Sequence, residues 1–337
     1  MGRLIWILLG LALCWDGVWF AATGAARSAV QAEIDTTPQV TVAEITRTGF
    51  PLSFGLRARD ITVTSRGGAV EWAAPQIVLR APGIAPHQPR LKGYPGQTLR
   101  LGEQTYRLDF AAMTGGADVA LSAAMTLQAA DLRLDAPQLV PQDMPGGPAA
   151  VSADAVALEV TQAAPGMVEI KGGIDALALP ETLAAELRAR AESLPAPGLP
   201  EVIERIGLRL RATLDAPLDR AALDAAPKLT ALDIDEIGLR WGALALAAQG
   251  RLDIDAQGRP EGRVTLRTTR WREMLSMAAD LGVIDPQMEP SLASMLQSFA
   301  VQDAAGGDSL DLPLIFQNGL MSLGPLPLGP APRLLAR

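Results

Sequence analysis

The chain has 337 residues, 49% of them hydrophobic but only 4% aromatic, and a net charge of −8. That length allows one large or two ordinary domains with a substantial core. An acidic balance with no basic run excludes a protein that grips nucleic-acid phosphates, and a single His and a single Cys exclude metal sites built on those ligands.

At the amino end, Arg3 precedes Leu4–Ala22, an apolar stretch whose one charge is Asp16. As a helix rising about 1.5 Å per residue it would reach roughly 28 Å, close to the thickness of a bilayer's hydrocarbon core. Trp6, Trp15, Trp19 and Phe20 lie toward its two ends, where amphipathic rings favour the interface, and Arg3 holds the amino end in the cytoplasm. The expectation is a signal anchor over 1–24: one pass through the inner membrane, with the bulk of the chain in the periplasm. A signal peptide cut near Ala22-Thr23-Gly24 is the alternative. A lipoprotein site at Leu11-Ala12-Leu13-Cys14 meets a large Leu13 where a small residue is required. Cys14 is the only cysteine, so the exported part has neither disulfide nor thiol nucleophile.

Ala25–Ile34 can continue the helix, giving a stalk over 25–35. A β-rich region follows, divided into an amino-terminal part (36–215) and a carboxyl-terminal part (216–337). Strand-like runs with a period of two recur at Leu52–Thr64, Gln76–Arg80, Thr98–Leu101, Thr105–Phe110, Asp118–Leu127, Asp131–Asp135, Val151–Val160, Met167–Ile170 and Ile174–Leu179. Gly67-Gly68, Gly115-Gly116, Gly146-Gly147-Pro148 and Gly172-Gly173 read as turns. Helical spacing appears over Glu181–Ser193, Leu218–Ala226, Arg270–Leu281 and Pro286–Val301. The Met- and Leu-rich pair at the end reads as packing more than as an adaptable binding surface.

The stretch from Trp241 to Trp271 is the clearest hairpin. Leu244, Leu246, Leu252 and Ile254 share one parity, Arg251, Asp253 and Asp255 the other, and Val264 and Leu266 alternate with Arg263, Thr265 and Arg267 beyond the turn. Arg209 and Arg211 fall on the wet side of another strand. The expected fold is mainly β (α+β): an extended, curved, mostly antiparallel sheet or groove with a few covering helices, preceded by one transmembrane helix.

Little in the chain points to reaction chemistry. His87 stands in a Pro-flanked loop with no nucleophile or orienting group declared beside it. Asp253-Ile254-Asp255-Ala256-Gln257-Gly258 imitates the start of an EF-hand loop, but Val264 occupies the place of the bidentate Glu. Trp72, Trp241 and Trp271 are the only tryptophans beyond the anchor, few for a sugar cleft. No enzyme, cofactor or metal is expected.

Several stretches carry a resemblance. Arg47-Thr48-Gly49-Phe50-Pro51-Leu52-Ser53-Phe54, the strand ending Asp60-Ile61-Thr62-Val63, and Glu71-Trp72-Ala73-Ala74-Pro75-Gln76 resemble an uncharacterised family of Gram-negative envelope proteins, domain of unknown function 2125. The Trp241–Trp271 hairpin and Leu312–Pro332 look like it as well. The closing Leu-Gly-Pro-Leu-Pro-Leu is also similar to the end of AsmA-like proteins. That wider group is tied to outer-membrane biogenesis and, in its long members, to moving lipid along a hydrophobic β-groove. The resemblance supplies no catalytic residues.

Two functions compete. In the first, the apolar strand faces line a groove for lipid or another hydrophobic ligand, with Leu244, Leu246, Leu252, Ile254, Val264, Leu266, Tyr106, Leu108 and Phe110 as the candidate face. Methylenes buried at about 0.8 kcal/mol each would supply the affinity, and Arg residues at the rim could meet headgroup phosphates. In the second, these faces pack against helices near 270–301 and the protein is an anchored scaffold recruiting envelope proteins. The partners expected are the inner membrane, a hydrophobic ligand or envelope proteins, and no nucleic acid.

Overall fold

The computed structural model describes residues 19–334 apart from 29, 33, 36, 66, 143–150, 181–184, 186–199, 243, 281–284, 298, 303–307 and 324–325. Arg3, Trp6 and Trp15 therefore lie outside the described residues, as do the expected 181–193 helix, except for helical residue 185, and the Gly146-Gly147-Pro148 turn. Among the described residues no helix is long and apolar enough to cross a membrane.

The fold is mostly antiparallel β-sheet, in two compact units: residues up to 123 with 128–155, and residues 124–127 with 156 onward. The 215/216 boundary lies inside the second unit. There β13 (Val202–Leu214) and β14 (Leu229–Trp241) form one continuous antiparallel pair, joined by a link with a single helical turn at Ala221–Asp224.

In the first unit, residues 19–28 are helical, with helical residues continuing to 35. β1 (Val40–Thr48) pairs with β2 (Ser53–Thr64), and β2 with β3 (Val70–Pro82). One end of β3 then pairs with β4 (Arg90–Gly93) and the other with β5 (Gln97–Leu101). β4 continues to β7 (Ala112–Val119), and β5 to β6 (Gln104–Asp109). The split is pinned by Gln97, which is fully buried: its side-chain oxygen accepts the Trp72 indole N–H at 2.9 Å and its amide donates to the Tyr94 carbonyl at 3.2 Å. An unpaired amide there would cost about 1–3 kcal/mol.

β8 (Leu127–Asp135), β9 (Gln138–Pro141), β10 (Val151–Ser152) and β11 (Ala155–Ala164) follow β7 in the chain. In the second unit β12 (Met167–Ala178), β13, β14, β15 (Leu244–Ile254), β16 (Pro260–Thr269) and β18 (Asp308–Gln317) pair in sequence, each antiparallel to the next, and the short β17 (Ala300–Gln302) pairs with β18. Helices Trp271–Asp280 and Glu289–Gln297 follow β16.

Several boundaries differ from expectation for physical reasons. β1 lies where no strand was read, because its residues mix parity and only Ile45 is buried. The run read as 118–127 ends at Val119. Gly115-Gly116 and Gly172-Gly173 lie inside strands, not in turns. At Gly115 a Cβ would stand 2.8 Å from the Asp131 carbonyl oxygen, so backbone proximity demands the glycine. The two helices near the end match their spacing, with a 3₁₀ turn at Pro286–Met288 and a short strand at Ala300–Gln302.

Candidate functional site

The hairpin forms as its alternation requires. Asp255 sets the turn: its Oδ1 accepts the backbone N–H groups of Gln257 and Arg259, both at 2.8 Å, with Gly258 at positive φ. The carboxylate that imitates a calcium ligand is thus a turn-former, and no group of three or more acidic, His or Cys side chains able to hold a metal is present among the described residues.

The greasy face of that hairpin is largely closed by the chain itself. Leu252, Ile254 and Val264 are buried in one cluster with Ile234, Ala248 and Phe316. Leu244 is buried with Trp241 and Ile203, and Met274 of the 271–280 helix packs on that group. Leu266 and Leu246 are half-buried. A third cluster, Trp271, Leu275, Leu296, Leu310 and Leu312, joins both helices to β18, and Leu292, Met295 and Phe299 pack against it. Tyr106, Leu108 and Phe110 belong to the first unit, so the nine candidate residues divide between two bodies. Phe110 is buried and the other two half-buried.

An apolar strip remains accessible in the second unit, at positions other than the nine. In β14 the register slips between Ile234 and Ile237, so Leu232, Ile234, Ile237 and Leu239 share one face although their numbering changes parity. Ile237 stands opposite Leu208 on β13 and Ala248 on β15, and Leu208 stands opposite Gly172 on β12. On the side where a Gly172 Cβ would project, the Leu208 Cγ would lie 3.2 Å away and the Leu158 Cδ1 of β11 (Ala155–Ala164) 3.4 Å away. Leu158 is 41% exposed and Ile237 40%. Neither they nor Leu208 join the three buried clusters.

Sequence reasoning missed this strip for two reasons. The bulge hides Ile237 from an alternation count, and Gly172-Gly173 imitates a turn. The runs of acid before Ile237 (Asp233, Asp235, Glu236) are the one readable signal, since strict alternation would force Glu236 inward.

The opposite face is ionic. Arg211 pairs with Asp235 at 2.6 Å, Arg251 with Asp233 at 3.2 Å and Arg267 with Asp311 at 2.8 Å, the arginines exposed and the carboxylates half-buried. Hydrogen bonding and charge hold the Arg211 and Arg267 guanidinium groups above their usual range and the Asp311 carboxyl below its own. A hollow of about 370 Å³ on this face is walled by Lys171, Arg205, Arg209 and Arg240 over Gly207, Gly238 and Ala247. Among the described residues Arg240 has no ion-pair partner.

The three later tryptophans are structural. Trp241 donates its indole N–H to the Pro200 carbonyl at 2.7 Å, Trp271 is buried, and Trp72 is held by Gln97. None is an open platform for sugar. His87 lies in the turn after β3, and its carbonyl accepts the Val119 N–H at 3.0 Å.

The family model described as "Uncharacterized protein conserved in bacteria (DUF2125)" matches residues 19–332. The chain belongs to the DUF2125 family. No curated protein and no solved structure matches it.

Proposed function

We propose that this DUF2125 member is a membrane-anchored, non-enzymatic envelope protein that holds or shields a hydrophobic ligand, such as a lipid acyl chain, on the strip of its second unit. The observation that carries the reading is the patch around Gly172, where Leu158, Leu208 and Ile237 form an apolar surface left partly open beside three closed clusters. Each methylene seated there would contribute about 0.8 kcal/mol. The apolar leader Leu4–Ala22 and the AsmA-like Leu-Gly-Pro-Leu-Pro-Leu near the carboxyl end support a place in the periplasm, tethered to the inner membrane, in outer-membrane biogenesis.

The experiment is lipid extraction and native mass spectrometry of the full chain beside Gly172→Leu, whose side chain fills the patch. Co-purifying lipid in the wild type and its loss in the folded variant support the reading. Equal lipid in both removes the strip from the account.

A second reading, an anchored scaffold for other envelope proteins, draws on the closure of the hairpin face beneath Met274, Leu292 and Phe299. A lipid-free chain that captures one defined partner would favour it.

A further inference from the structure

One end of the first unit's sheet differs from the other. The β1–β2 turn, the β3–β4 turn and the end of β7 all lie at this end. This follows from the register: Thr48 faces Gly55, Ser53 faces Pro82, Arg80 faces Arg90, and Arg90 faces Gly116. These turns carry Phe50 at 51% exposure, Leu52 at 83%, Ile84 at 98% and Leu121 at 79%. Four large apolar side chains thus stand at the tip of one sheet, Leu52, Ile84 and Leu121 almost bare and Phe50 half-covered.

The leader enters at the same end. Trp19 is buried against the β1–β2 turn: its indole N–H donates to the Ser53 carbonyl at 2.7 Å, and its ring meets Phe50 edge-on at 5.3 Å. Phe20, half-exposed, follows it, with the Arg47 guanidinium 5.8 Å above its ring. Trp19 is thus a clamp between leader and domain rather than a free interfacial ring. Trp19, the first described residue, stands beside Phe50, and the apolar run from Leu4 precedes it in the sequence.

Charge points the same way. Residues 45–55 and 79–92 contain Arg47, Arg80, Arg90 and Lys92 and no carboxylate. The one acid at the end of β7, Asp118, is paired with Arg90 at 3.2 Å. Arg80, Arg90 and Lys92, with Asp131 as the one acid, line a hollow of about 500 Å³ beside Tyr94. Arg80 lies two residues inside the end of β3, set back by roughly 7 Å, which matches the depth to which interfacial proteins bury their apolar parts. The opposite end is balanced: residues 65–71 and 100–103 hold Arg66 and Arg100 beside Glu71 and Glu103, and Glu71 pairs with Arg100 at 2.7 Å.

We propose that this tip of the first unit is seated in the phospholipid surface, with Phe50, Leu52, Ile84 and Leu121 among the upper acyl chains and Arg47, Arg80 and Arg90 at the headgroup phosphates. The domain is then held against the membrane by its own turns and does not stand away on a stalk. The proposal rests on the membrane attachment given above and is independent of the lipid-holding strip.

The test uses the full chain with Cys14→Ser, carrying one environment-sensitive fluorophore at Leu52→Cys, Ile84→Cys or Gly67→Cys. Gly67 lies in the turn at the far end of β2, and a side chain there meets nothing within 4 Å. The protein is placed in vesicles of phosphatidylethanolamine with a minority of phosphatidylglycerol, with or without lipid carrying a nitroxide near the headgroup. The expected result is blue-shifted emission at 52 and 84 that the nitroxide lipid quenches, with water-like, unquenched emission at 67. Water-like emission at all three sites on vesicle-bound protein overturns the proposal and leaves the anchor standing. Blue-shifted emission that lipid nitroxide does not quench overturns it in favour of a protein cover. Failure of the chain to float with the vesicles overturns the attachment itself.

Discussion

From β15 to β18 the apolar face of the second unit is closed, with Leu252, Val264, Leu310 and Phe316 all buried. From β11 to β14, in the same unit, the apolar side chains around Gly172 keep two-fifths of their surface open at Leu158 and Ile237. Both regions have one apolar face, kept through the slip in β14, and both put arginine–carboxylate pairs on the other side. What separates them is cover: Met274 packs by Leu244, the 289–297 helix packs by Leu310, and Met321 and Ala331 close over the Leu252 group. Period two tells which face is oily. Whether that face becomes core or surface is decided by segments distant in the chain.

The comparison breaks most visibly with a charge. Leu252→Asp buries an unpaired carboxylate at a cost of several kcal/mol, and the cooperative unfolding of the second unit should disappear from circular-dichroism melts. Ile237→Asp should retain that transition and lose hydrophobic-ligand retention. If both variants unfold, the strip is core and the contrast fails.

A milder probe is truncation. Leu310→Ala should cost about 2–5 kcal/mol in urea unfolding, as for enclosed leucines. Leu208→Ala, with its site already open, should cost less than half of that.

The hairpin turn gives a smaller effect. Asp255→Ala removes the acceptor for two backbone N–H groups and should lower stability by about 1 kcal/mol, read as a lower melting temperature. Smallest of all is the Arg267–Asp311 pair on the wet face. The Asp311 carboxyl is held below its ordinary value by Arg267, so its contribution is complete above the usual carboxylate range and is lost as pH falls through the lowered value. Asp311→Asn should flatten that part of the acid-stability profile by removing the same small contribution at neutral pH.

Much of the fold was legible in the chain, and the limits are instructive. The 241–271 hairpin, the two helices after it and the solvated roles of Arg209 and Arg211 followed from spacing, because each depends on neighbours within a few residues. The glycines misled, since Gly115 and Gly172 answer to partners on other strands and not to a local bend. The candidate face was legible as apolar but not as covered. Leu244, Leu252, Ile254 and Val264 are core because Met274, Phe316 and Ala331 return over them. Trp19 looked like a free aromatic at a helix end; its partner Ser53 stands 34 positions away.

The slip in β14 has one more consequence. Asp235 and Glu236 both lie toward the wet side, meeting Arg211 and Arg209, while Ile234 and Ile237 flank them on the dry one. Elsewhere in such a ladder, gaining or losing a residue would turn every following side chain over. Here removing Asp235 would merely straighten the strand, so this is the spot where the length of β14 can drift while its chemistry stays put.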